Sequence, residues 1–245
     1  FNLNAFRLGR QTFLKKDNIY KLIENKISED DSEKLSSTLN DKINRRFNFL
    51  TEYKDEKYAK KYIKLVNAVK TCEEKLSINK TTLSEAVAFN YFKLMAYKDE
   101  YEISRLYTHP RFEKKIKETF EGNFKINFHV APPIFAKKNS SNGKPKKIKM
   151  GQWLLYLMKL IATLKFLRGT FFDPFGYSAE RKIERKLIQD YEIRILNITK
   201  KLNKENYDTA CKIAKIPEKI RGFGYIKKDN LIVAKKIEAN LVAEF

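Results

Sequence analysis

The sequence predicts a mainly α fold, a multi-helix, bundle-like domain with one short β-strand or hairpin. Three observations lead there. Long segments repeat apolar residues every three or four positions, the period of a helix with one buried face. A single stretch, Phe124 to Val130, alternates with a period of two instead. The 245 residues are 42% hydrophobic and 13% aromatic, which is ample for a core.

The elements follow in order. "FNLNAFRLGR" has helical spacing through Leu3, Phe6 and Leu8 to Phe13, and residues 1–16 read as the end of a preceding module. Residues 17–37 read as a short helix and an acidic, Ser-rich connector, the expected internal boundary. Residues 17–80 then read as linking helices ahead of a helical domain over 81–245. Thr38 is placed to cap a helix carrying Ile43, Phe47 and Leu50, because its hydroxyl accepts an otherwise unpaired backbone N–H. The next helix carries Tyr58, Tyr62, Leu65, Val66, Val69 and Leu76, so the two are expected to form an antiparallel pair.

Leu83 to Tyr107 reads as one central helix, since Val87, Phe89, Tyr91, Phe92, Leu94, Met95 and Tyr97 leave almost no polar face. A thin polar stripe survives at Asn90, Lys93, Tyr97, Glu100 and Ser104. A lysine there either runs its stem out to water or meets a specific partner. After the "THP" break comes a short helix around Phe112 to Phe120, and then the strand, stopped by two prolines. The basic loop that follows is the expected tip of a hairpin returning through Ile148.

Trp153 to Leu167 is apolar nearly all round and reads as a core helix. Asp173-Pro174-Phe175-Gly176 has the residue order of a type I turn, and Ser178 is placed to N-cap the next helix, with Glu180 where the helix dipole favours it. That helix carries Ile183, Leu187, Ile188, Tyr191, Ile195, Ile198 and Leu202 on one stripe, and a final helix runs through Leu231, Ala234, Ile237, Leu241 and Val242.

The formal charge of +21 predicts attraction to something acidic, although a lysine-rich composition also suits any solvated surface. Lys159 and Lys165 interrupt the most apolar stretch, which is too short and too charged to span a bilayer, so no membrane association and a cytoplasmic location are expected. Cys72 and Cys211 are far apart and read as buried thiols. Neither a phosphate-binding G-x-x-x-x-G-K-[ST] loop nor a Gly-Asp-Gly with a later Asn is present, and Gly222-Phe223-Gly224 reads as a helix-linking turn. The expectation is no catalytic residue, metal site or cofactor in this chain.

His109 reads as a surface residue, and His129 as either a structural residue or a proton donor and acceptor in a cleft. Arg168, Arg181, Arg185 and Arg221 stand at turns and helix starts. A guanidinium there can grip a carboxylate or phosphate at two points, or lock helices through a buried acid such as Asp173 or Glu184. The Asp173 to Ser178 turn is expected to fix the angle of two core helices and to aim Arg168, Arg181 and Arg221 at one surface.

Four strings, "EAVAFNYFKLMAYKDEYEISRLYT", "FKINFHVAPPIFA", "RGTFFDPFGYSAERKIERKLIQDYE" and "IPEKIRGFGYIKKDNL", together resemble the C-terminal region of the fused, single-chain indolepyruvate ferredoxin oxidoreductases, and the leading "AFRLGR" looks like the last helix of the preceding catalytic module. The resemblance implies a parent enzyme, itself a homo-oligomer, that oxidatively decarboxylates an aryl 2-oxoacid with coenzyme A. It uses thiamine diphosphate and iron–sulfur clusters held on other modules and passes electrons to ferredoxin. It further implies a scaffolding or docking role here, with the catalytic modules of the same chain and an acidic ferredoxin as partners. Two other readings stand beside it. Lys93, Lys98, Arg105 or His129 could reach the substrate directly, or the Lys137 to Lys149 loop could make this a basic helical nucleic-acid-binding module.

Overall fold

The computed structural model describes Leu3, Phe6, Arg7, Arg10, and residues 38–122, 124–130, 148–222 and 224–245. The chain divides into two compact units, Phe1–Lys42 and Ile43–Phe245. In the first, the described residues Leu3, Phe6, Arg7 and Arg10 are helical and exposed. It ends in the capped start of helix α1 (Leu39–Tyr53), where Thr38 Oγ1 accepts the Asp41 N–H at 3.1 Å and Asp41 accepts the Thr38 hydroxyl at 2.7 Å.

The second unit is mainly α. It holds the rest of α1, then α2 (Glu56–Lys75), α3 (Thr82–Met95), α4 (Glu100–Thr108), α5 (Pro110–Thr119), the strands β1 (Phe128–Val130) and β2 (Ile148–Met150), α6 (Leu154–Thr163), α7 (Ala179–Lys201), α8 (Tyr207–Ala214) and α9 (Gly224–Glu244). The two strands pair antiparallel, Phe128 with Met150 and Val130 with Ile148, as a return through Ile148 predicts. Only three residues of the alternating run join the ladder. Residues 17–37 and most of the basic loop lie outside the described residues.

Helix starts follow local chemistry. Asp55, Asp99 and Ser178 each accept a backbone N–H in the first turn of α2, α4 and α7. His109 does the same for α5, its Nδ1 accepting the Arg111 N–H at 3.2 Å, with Pro110 opening the helix. This histidine is thus a half-buried cap.

The apolar face of α2 does not use α1 as its main partner. It packs against α3, and α7 crosses both. Three tyrosine rings stack through this layer, Tyr62 on Tyr91 at 6.1 Å and Tyr91 on Tyr191 at 6.0 Å. The buried hydroxyls of Tyr62 and Tyr191 donate to the Ala88 and Ala214 carbonyls, so these large rings enter the core with no polar group left over. α8 covers the other side of α3, and α9 lies on α8 and the 3₁₀ turn Ile216–Lys219.

Two further expectations fail here. The Leu83 to Tyr107 run is two helices, because Asp99 caps a new one and diverts the backbone at residues 96–99. The Trp153 to Leu167 segment is not a core helix. α6 buries only Leu154 and Met158, which meet Phe128 of the hairpin, while Trp153, Tyr156, Leu157 and Leu160 face outwards. A helix that is apolar all round needs partners on every side, and α4 and the hairpin supply them on one.

Candidate functional site

The segment "RGTFFDPFGYS" is built around a buried ionic hub. Arg168, 2% exposed, grips Asp99 at two points, with Nη2 donating to Oδ1 at 2.7 Å and Nε to Oδ2. Its Nη1 donates to the Tyr53 carbonyl, and the guanidinium lies 3.5 Å from the Tyr53 ring centroid. One arginine thereby ties the end of α1, the cap of α4 and the entry to the turn. The expectation that Arg168 faces a surface is wrong: its long side chain runs inwards, and its acid is Asp99, which sequence reading had not paired with it.

Asp173 is the second half of the hub. Oδ2 accepts the Gly169 N–H at 2.7 Å, and Oδ1 accepts the Phe175 N–H at 3.1 Å and the Tyr101 hydroxyl at 3.0 Å. Gly176 N–H closes the turn on the Asp173 carbonyl at 3.2 Å. Gly169 takes a left-handed φ of +73°, and a side chain at Gly176 would put Cβ 2.6 Å from Asp173 Oδ2. Both glycines are therefore required by geometry.

This anchored turn presents aromatics outwards. Phe171 and Phe172 are 82% and 75% exposed, their rings edge to face at 5.5 Å. The exposed Tyr177 hydroxyl donates to the Phe171 carbonyl and holds the tip in shape. With Trp153, Tyr156 and Leu160, at 57%, 76% and 58%, large apolar side chains stand in water at both ends of residues 153–172.

The remaining predicted residues divide sharply. Arg105 is committed internally: Nε and Nη2 donate to Glu102 at 2.9 and 2.8 Å, and Nη1 reaches Glu52 at 3.2 Å. The Glu102 hydrogen bonds push its pKa up. His129 stands exposed on β1 opposite Lys149. Arg185 Nη2 donates to the Gly176 carbonyl at 2.7 Å and braces the turn. Glu184 binds Lys227 of α9 rather than an arginine.

Lys93, Lys98, Arg181 and Arg221 do come together, along a cleft of about 850 Å³ between α3 and α4, the first turns of α7, and the turn before α9. Lys93 Nζ donates to the Pro217 carbonyl at 2.6 Å and to that of Ile220 at 3.3 Å, so it has a specific partner and does not simply run out to water. Burial, and then the Arg221 charge, hold its pKa below the usual lysine value. Arg181 lies over the Tyr97 ring at 5.8 Å and reaches Glu100 only at 3.6 Å. Burial raises the Glu100 pKa, with Arg181 opposing the shift.

Sequence reading missed Glu73. Its carboxylate, 2% exposed at the end of α2, accepts the Leu83 and Ser84 N–H groups at 2.9 and 3.0 Å, the Ser84 hydroxyl, and the Tyr207 hydroxyl at 2.5 Å. It caps α3 from outside the helix and joins it to α8. No local pattern signals a cap supplied from ten residues upstream. Cys211 is buried, and burial pushes its thiol up to about 11. Cys72 is half-buried and donates to the Thr199 carbonyl at 3.1 Å.

Among the described residues, no three His, Cys, Asp or Glu side chains gather to hold a metal ion, and no helix is long and apolar enough to cross a membrane. Of the Lys137 to Lys149 segment, only Ile148 and Lys149 are among the described residues.

Residues 39–240 match the model of a family of unknown function, DUF6537, and the chain belongs to that family. No curated protein and no solved structure matches it.

Proposed function

We propose that this DUF6537 member is a docking module, the C-terminal accessory domain of a thiamine diphosphate- and iron–sulfur-dependent indolepyruvate ferredoxin oxidoreductase whose catalysis takes place on other modules. The carrying observation is the outward-facing aromatic tip, Phe171 and Phe172 on a turn nailed down by Arg168, Asp99 and Asp173. A rigid, hydrogen-bonded base under side chains that touch little of their own domain is the construction of a preorganised anchor. Each phenylalanine is worth roughly 2 kcal/mol on full burial. The quoted string that carries the family resemblance includes this tip, which favours the catalytic modules of the same parent chain as its occupant. The +21 charge favours an acidic electron acceptor such as ferredoxin drawn to the basic exterior.

The test is made in the parent enzyme. Replacing Phe171 and Phe172 by Asp, or Trp153 by Glu, leaves the domain folded, because these side chains are exposed. Retention of the domain on the catalytic modules and electron delivery to ferredoxin should then fall. Unchanged assembly and unchanged turnover in both variants would refute the docking role.

A further inference from the structure

The cleft of about 850 Å³ at the start of α7 is separate from the aromatic tip and is not explained by docking. Its volume falls in the range of small-molecule sites, about 300–1,000 Å³. Its walls differ in character. Ile103, Leu106 and Tyr107 of α4 form an apolar side that is 37–42% exposed, with the far side of the Tyr107 ring packed edge to face on Phe112 and Phe128. The other side is cationic, five Lys and Arg side chains against Glu180 and Glu184.

The structure accounts for two of those cations. Lys93 is spent on the Pro217 and Ile220 carbonyls, and Lys227 on Glu184. The other three have weaker claims on them. Lys98 is exposed and has no hydrogen bond or ion pair among the described residues. Arg221 uses Nε on the Glu218 carbonyl at 2.8 Å and is itself exposed, with no carboxylate partner among the described residues. Arg181 has a buried Nε with no hydrogen-bond partner, and its nearest carboxylate oxygen, Glu100 Oε2, is 3.6 Å from Nη2 and is also without a hydrogen bond. This Nε is shut off from solvent, so the part of Arg181 that an anion in the cleft can meet is its Nη groups.

We infer that this cleft binds a phosphorylated organic anion, with its phosphate groups between Lys98, Arg181 and Arg221 and its apolar or aromatic body against Ile103, Leu106 and Tyr107. A single carboxylate would answer only one of three cations held on three different elements, whereas a diphosphate spans them and offers paired oxygens to each guanidinium. The apolar wall selects against a bare inorganic anion. The concave shape selects against an extended acidic peptide.

The experiment is calorimetric titration of the full chain with ADP as the probe, alongside inorganic pyrophosphate and phenylacetate. ADP should bind saturably, pyrophosphate more weakly, and phenylacetate not measurably. The double variant Lys98→Ala/Arg221→Ala removes two exposed side chains and should fold as the parent does, which a thermal melt checks. It should weaken ADP binding at least about tenfold, the loss of roughly one charge-assisted hydrogen bond. Lys212→Ala, an exposed charge on α8 outside the cleft, should leave the affinity unchanged. Arg181→Lys keeps the charge but loses the fork, and should weaken ADP and pyrophosphate to a similar extent, because both present the same diphosphate to Arg181. The inference is overturned by the absence of saturable ADP binding, by equal affinities of the double variant and Lys212→Ala, or by phenylacetate binding in preference to ADP.

Discussion

Replacing Asp99 by Asn tests the hub with almost no change in shape. Asp99 Oδ1 accepts both Arg168 Nη2 at 2.7 Å and the Glu102 N–H at 2.9 Å, while Oδ2 accepts Arg168 Nε. An asparagine carbonyl can keep the first two contacts, so the helix cap, worth about 1 kcal/mol, is retained. Its NH2 then faces the Arg168 Nε–H, donor against donor, and the guanidinium loses its counter-charge at a site where both side chains are 3% exposed. Breaking a buried pair from one side costs about 3–5 kcal/mol. For a domain of this size, each kcal/mol lowers the melting temperature by about 2–4 °C, so a fall of about 6–20 °C is expected by calorimetry or circular dichroism. The cycle closed with Arg168→Met should show a coupling of about 2 kcal/mol or more, because the second change relieves what the first leaves unpaired. A fall in melting temperature below about 3 °C, or additive single effects, would refute the assignment of Arg168 and Asp99 as a mutually dependent pair.

Gly176→Ala places a Cβ 2.6 Å from Asp173 Oδ2 and 3.2 Å from Arg185 Nη1, and that carboxylate is already fixed by Gly169. The turn must shift at a cost of about 2 kcal/mol, read as a lower urea midpoint, with a weakened docking signal; an unchanged midpoint would contradict the rigid-tip reading. Burial, joined by the Asp99 charge, pushes Tyr97 up to about 12, and burial alone leads in raising Tyr53 and Tyr191 well above the ordinary phenol value of 10. A raised folded pKa contributes stability that is complete below pH 10 and is lost as pH climbs through the folded value, so the protein should weaken in alkali. Absorbance at 295 nm should show these phenols ionising together with unfolding; full ionisation near pH 10 with native circular dichroism retained would disprove it.

Much of the local architecture was legible. Thr38 and Ser178 cap helices because a hydroxyl at that position meets the first free N–H groups, an interaction confined to four residues. The Asp173 to Gly176 turn was readable for the same reason. The cleft was legible in part: Lys93 in an apolar run, Arg181 at a helix start and Arg221 at a glycine turn were singled out as cations in unusual settings, and the fold brings them together with Lys98. Arg105 stood out on the same grounds, but its carboxylates lie three residues away and on another helix, and they neutralise it.

The sequence by itself determined that most long segments are helical, where the helices capped by Thr38 and Ser178 start, and that one turn is held by glycine and aspartate, since periodicity and capping act over a few residues; it did not show the new helix at Asp99 or the short α8. Tertiary structure alone decided that Arg168 meets Asp99, 69 positions away, and that α6 carries its aromatics on the outside. Hydrophobic burial is non-directional, so an apolar face shows only that it favours a partner. Which partner it finds, and which face is left for another molecule, depends on how the other elements fill the space around it.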